Sequence, residues 1–102
     1  MRPLSELYRL AGVKWCDLNA AADILEESKS SVLSQRKLAL GDIPDNRRET
    51  IVRASAEWRE YIDQMVEARR LANLAKIEMN ELEMKFKEQL NADFARRAEM
   101  KL

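Results

Sequence analysis

The chain has 102 residues, with 18 Lys+Arg against 18 Asp+Glu, no His, one Cys, 2 Gly and 2 Pro. That length allows one domain at most, and balanced charge indicates neither a basic nucleic-acid domain nor an acidic mimic of nucleic acid. So little Gly and Pro leaves scant material for the turns of a many-stranded fold. Without His, the usual general base near neutral pH and the commonest metal ligand are missing. Nucleophile–His arrangements are therefore excluded as they are normally built. Cys16 has no internal disulfide partner, which makes a reducing compartment the default.

The opening MRPLSELYRLAG places Glu6 and Arg9 where a signal peptide or a membrane span needs an unbroken apolar run. A cytoplasmic protein without a membrane partner is expected. Pro3 suits the first turn of a short helix over about residues 3–11, which Gly12 closes as a left-handed cap. A second helix, over about 17–40, takes Asp17 as N-cap, with a start nearer Val13 as the alternative. It carries Arg36 and Lys37 near its negative end. Gly41 ends it and Pro44 prevents continuation.

A third helix over about 46–100 follows, with Glu49 placed like the acid of a capping box. From Arg47 to Met100 there is neither Gly nor Pro, and Glu81/Lys85 and Glu83/Lys87 stand in the favourable i,i+4 order. Such a helix of about 55 residues would span roughly 83 Å.

Its apolar residues recur in steps of seven: Ile51, Trp58, Met65, Ala72, Met79 and Phe86, with Ala54, Tyr61, Ala68, Ala75 and Leu82 between them. This is a coiled-coil-like seam. Beyond Phe86 it fails at Gln89 and Asp93, where Leu90 and Phe94 shift the stripe by one residue. The second helix offers Leu18, Leu25, Val32 and Ala39, with Ala21, Ser28 and Gln35 between. Folding back at the Gly41–Asn46 turn brings Ala39 near Ile51, Val32 near Trp58, Leu25 near Met65 and Leu18 near Ala72.

The expected fold is thus all-α: an antiparallel, coiled-coil-like helical hairpin with a very long C-terminal helix and a short N-terminal one. Its core comprises Leu18, Leu25, Val32, Ile51, Trp58, Tyr61, Met65, Ala68 and Ala72. The lengths do not match, and about 28 residues from Asn73 onward, roughly 42 Å, extend past the second helix. The first segment can cover Ala75–Leu82 and no further. Ile77, Met84, Leu90, Phe94 and Met100 there either remain exposed or meet another chain, a second copy (a dimer being the favoured oligomer) or another protein being the economical explanation.

The remaining constellations have bland readings. Glu57/Glu60 and Glu78/Glu81 are spaced like di-iron carboxylates, but such sites add a His three residues after a Glu, so these read as solvated helix faces, and no metal or cofactor is expected. The doublets Arg47-Arg48, Arg69-Arg70 and Arg96-Arg97 suit phosphate, yet Asp63, Glu67, Asp93 and Glu99 lie within a turn and dilute the field. Met65 and Met79 fall on the seam, whereas Met84 and Met100 lie outside it and suit an adaptable binding surface. Trp58 sits mid-helix without the turn glycine of the secreted WXG hairpins, and reads as a core anchor.

The run EWREYIDQMVEARRLANLAK, the terminal RRAEMKL and the leading LYRLAGVKWCDLNAAADILEESKSSVL resemble small helical proteins encoded by bacterial phages and prophages. The resemblance spans most of the chain, and carries over neither activity nor site residues. It implies context, a phage protein acting in a bacterial host cytoplasm. With no general base, metal cluster or phosphate loop in the sequence, a non-enzymatic protein that binds a host or phage partner stoichiometrically is expected. An inhibitor of a bacterial defence complex such as a CRISPR effector is one instance. Met84, Phe86, Leu90 and Phe94 are the expected anchors, with Arg96 and Arg97 for polar specificity. One alternative is a phage replication or recombination accessory that touches nucleic acid through Arg47, Arg48, Arg69 and Arg70. The other is a purely structural dimeric coiled coil.

Overall fold

Leu4, Tyr8, Ala11, Trp15, Leu18, Ala22, Leu25, Val32 and Arg36 follow one another at three- and four-residue steps, or multiples of them, with no change of phase at Gly12. In the computed structural model, which describes residues 2–100, that spacing is a single helix, α1 (Leu4–Ala39). The short first helix and the separate start at Asp17 are not formed. Gly12 is mid-helix, without the positive φ of a cap. A glycine inside a helix costs about 1 kcal/mol, whereas burying one Leu contributes about 1.5–3 kcal/mol. Continuing the helix lets Leu4, Leu7, Tyr8 and Ala11 all pack inward, so tertiary burial outweighs the local propensity.

The chain turns at Gly41, whose φ of 81° is the one positive value among the described residues. Arg48 donates a hydrogen bond to the Gly41 carbonyl, and Lys37 reaches Asp45 at 2.9 Å, fastening the end of α1 to the start of α2 (Asp45–Arg53). The capping box does not form: Glu49 instead accepts from Arg53 at 3.0 Å one turn ahead.

The expected uninterrupted third helix is broken once. Ala54 and Ser55 separate α2 from α3 (Ala56–Met100). The Ser55 hydroxyl accepts the Trp58 N–H at 3.2 Å and donates to the Val52 carbonyl. Ser55 thereby acts as the N-cap of α3, serving one of the free N–H groups of its first turn. The break rotates α2 relative to α3, so Val52 is buried in place of Ile51, and Ile51 and Ala54 face solvent. The seam expected from Trp58 to Phe86 lies inward along its whole length.

On α1 the inward partners of Leu18, Leu25 and Val32 are Ala22, Lys29 and Arg36; Ala21, Gln35 and Ala39 are exposed. The Ala20-Ala21-Ala22 run leaves the phase open locally, and the continuous helix from Leu4 fixes it.

The two long helices lie side by side, and their partners run in opposite chain order. The Tyr61 hydroxyl donates to the Leu25 carbonyl, Arg69 meets Asn19, Asp23 and Glu26, and Lys14 pairs with Glu78 at 3.3 Å. Gly12 faces Met79. Arg2, Leu4 and Leu7 line one cleft with Phe86, Leu90 and Asp93. The first segment therefore reaches well past Leu82, and the uncovered end is much shorter than 28 residues.

The molecule measures 84 × 20 × 17 Å with a radius of gyration of 23.1 Å, against about 13 Å for a compact chain of this length. Its core is thin. Val52, Trp58 and Tyr61 form the one cluster of large buried residues among those described, supported by Leu25, Val32, Leu33, Leu40 and Ile62. The Trp58 and Tyr61 rings stack with centroids 5.6 Å apart.

A Cβ on Gly12 would lie an ordinary 3.7 Å from the Met79 sulfur. Gly12→Ala should therefore stabilise the fold by about 0.5–1 kcal/mol, whereas Gly41→Ala, at positive φ, should cost about 1 kcal/mol. Urea unfolding followed by circular dichroism checks both; a destabilised Gly12→Ala would show that the glycine is needed for helix approach. Trp58→Ala should cost about 3–5 kcal/mol in the same assay.

Candidate interaction surface

The described residues hold no group of three or more Cys, Asp or Glu side chains arranged to bind a metal ion. Glu57, Glu60, Glu78 and Glu81 are all exposed, and Glu78 is engaged by Lys14. A cleft of about 240 Å³ lies at the turn end between Arg36, Leu40, Ile51, Val52 and Glu57, below the usual range for small-molecule sites. No helix among the described residues is long and apolar enough to cross a membrane.

Arg48, Arg69 and Arg70, three of the four arginines named for nucleic acid, are engaged within the chain. Arg69 donates to Glu26 at 2.9 and 2.7 Å, to Asn19 at 2.8 Å and to Asp23 at 2.6 Å, spanning two turns of α1. The Glu26 and Asp23 hydrogen bonds raise its pKa above the ordinary guanidinium value. Arg70 binds Glu67 in a two-pronged contact at 2.9 and 2.6 Å. That contact lowers the Glu67 pKa and raises that of Arg70. Arg48 is turned onto the Gly41 carbonyl. Arg47 is exposed. Of the acidic neighbours noted in the sequence, Glu67 pairs directly with Arg70, and α1 supplies Arg69 with partners that no local spacing reveals.

The expected partner-binding residues divide into two groups. Phe86 is half-buried and, with Leu90, lines the cleft against Leu4 and Leu7; these two belong partly to the helix pair. Met84 is exposed on the side of α3 away from the seam. Past Asp93 every described residue is exposed, Phe94 at 64% and Met100 at 80%, with Arg96 and Arg97 among them.

A further set of exposed apolar residues was missed: Leu10, Val13 and Ile24 on α1 and Leu71 and Leu74 on α3. The signal was a second apolar stripe beside the seam. It emerges only once α1 turns Ala22 inward in place of Ala21. Cys16 is a free, exposed thiol.

Among known proteins, no family model, no curated protein and no solved structure matches the chain.

Arg69→Ala should lower the melting temperature in low salt, with helical content at low temperature unchanged. The loss should shrink as salt rises, because exposed ion pairs are screened. A deficit independent of salt would mean that Arg69 acts through packing of its stem against α1.

Proposed function

We propose that the chain is a non-enzymatic protein-interaction module, built as an antiparallel, coiled-coil-like helical hairpin and working as a homo-oligomer, with the projecting end of α3 as its partner-binding tip. The observation that carries this reading is the mismatch between core and surface. Few large side chains are buried, while Phe94 and Met100 stand exposed beyond the reach of α1. Large exposed apolar residues on a soluble helix mark contact surfaces. A terminal helix with an aromatic anchor and two adjacent arginines has the composition of a hot spot for a partner presenting an apolar groove with acidic edges. That the partner is a host or phage protein, and a defence complex among the candidates, rests on the sequence resemblance alone.

The nucleic-acid alternative is less well supported, because Arg48, Arg69 and Arg70 already have acceptors within the chain.

Affinity capture from bacterial lysate, comparing the natural chain with Phe94→Glu and with Glu60→Ala as a surface control, tests the tip. The expected result is a captured species lost only with Phe94→Glu. The same species retained by all three would show that the tip is not the contact. Fluorescence anisotropy with single- and double-stranded DNA should show no binding at low salt; salt-dependent binding abolished by Arg47→Glu would instead favour the nucleic-acid reading.

A further inference from the structure

Leu82, Phe86, Leu90 and Phe94 recur every four residues on α3 and form one ridge along the helix. Its two ends differ in what lies on them. Leu4 and Leu7 of α1 line a cleft with Phe86 and Leu90, and Leu7, Leu10 and Ala11 line another with Leu82. Phe94, by contrast, is 64% exposed. The first two turns of α1 therefore cover the inner part of the ridge whose outer part is the tip.

That cover is lightly held. Of residues 4–11 Ala11 alone is buried; Leu4, Leu7 and Tyr8 are half-buried and Leu10 is exposed. The two clefts measure about 530 and 290 Å³, so the leucines leave space against α3 that a packed core would fill. Among the described residues, no hydrogen bond or ion pair joins residues 2–11 to α3. Arg2 pairs with Glu6 on the same side of the groove, and the outermost tie between the helices is Lys14 to Glu78. Between that tie and the turn lie the Arg69 contacts, the Tyr61–Leu25 hydrogen bond and every other buried residue of those described.

The two parts of α1 meet at Gly12, the one glycine within a helix. A glycine regains more conformational freedom than any other residue on leaving a helix. Eight residues released from the rest of a helix are also too few to stay helical alone. Release at Gly12 therefore gives up a few half-buried contacts and leaves the Trp58 cluster in place.

We propose that residues 4–11 are a displaceable strap, hinged at Gly12, that lies over Leu82, Phe86 and Leu90 and confines the partner surface to the tip. Opening extends that surface from Phe94 back to Leu82, about 18 Å along the helix. A partner seated on Phe94 gains the rest of the ridge only by displacing the strap. Its preference for the open form then sets the balance between the two. The strap's use rests on the tip reading, whereas its opening is measurable without a partner.

Hydrogen exchange of the full chain, resolved by residue, reads that opening. The amides of residues 7–11 should exchange together, with protection about 100-fold or more below that of residues 18–32 and a step near Gly12. A smooth gradient along α1, or equal protection throughout, would overturn the strap. Leu7→Glu should abolish the protection of residues 7–11 and keep the near-ultraviolet circular dichroism of the stacked Trp58 and Tyr61 rings. Loss of that signal would make residues 4–11 an integral part of the core and overturn the hinge.

In the capture experiment, Leu7→Glu should take up more of the species that Phe94→Glu loses; equal or lower uptake would overturn the competition. A Phe94-dependent species without the exchange step overturns the strap alone. The exchange step without a Phe94-dependent species overturns the tip, and with it the strap's role.

Discussion

The contact between α1 and α3 is made across alanine. Ala11, Ala22, Ala72 and Ala75 are the buried residues along the middle of the rod, and Gly12 sits directly against Met79. Small side chains let two helix backbones approach closely, and many short-range contacts then substitute for a few large buried groups. The consequence is a long thin layer that holds its shape while sequestering little apolar surface. Everything else in the molecule answers to that constraint. The aromatic pair at one end supplies the bulk that the alanines lack.

Trp58 and Tyr61 concentrate the large-residue burial near the turn, where α2 adds a third element. Ser55 makes that concentration feasible. By capping α3 and breaking the run from α2, it allows Val52 to turn inward beside the rings, where an unbroken helix would have presented Ile51. The Tyr61 hydroxyl, directed at the Leu25 carbonyl, ties the cluster to α1. Farther along, where the fully buried residues are alanines, Arg69 binds across the groove to side chains on two turns of α1. Its contribution is to fix register on an exposed edge more than to add stability, since exposed pairs contribute little individually.

Helix content, the turn at Gly41 and the seam from Trp58 to Phe86 were legible because each rests on a local rule: propensity, a left-handed glycine and a seven-residue period. Gly12 was misjudged as a cap because a glycine's local preference carries no information about Met79 opposite it. Ser55 was readable in principle, being a serine three residues before Trp58, but strong helix formers on both sides masked it. The candidate tip at Phe94 and Arg96-Arg97 was visible as a failure of the seam. The exposure of Leu10, Ile24, Leu71 and Leu74 was not, since it is decided only once two helices fix one another's rotation.

The sequence by itself determined that the chain is helical, where it turns, and which face of the C-terminal half turns inward. These properties depend on residues within a few positions of one another, so single-chain periodicity encodes them. Only the tertiary structure decided that α1 runs unbroken through Gly12, that α3 begins anew after Ser55, and that Arg69 is spent on α1 and not free for phosphate. The first and last of those outcomes are set by groups dozens of residues apart, where burial and charge pairing outweigh the roughly 1 kcal/mol of local preference; the break at Ser55 is a local cap that the strong helix formers around it conceal.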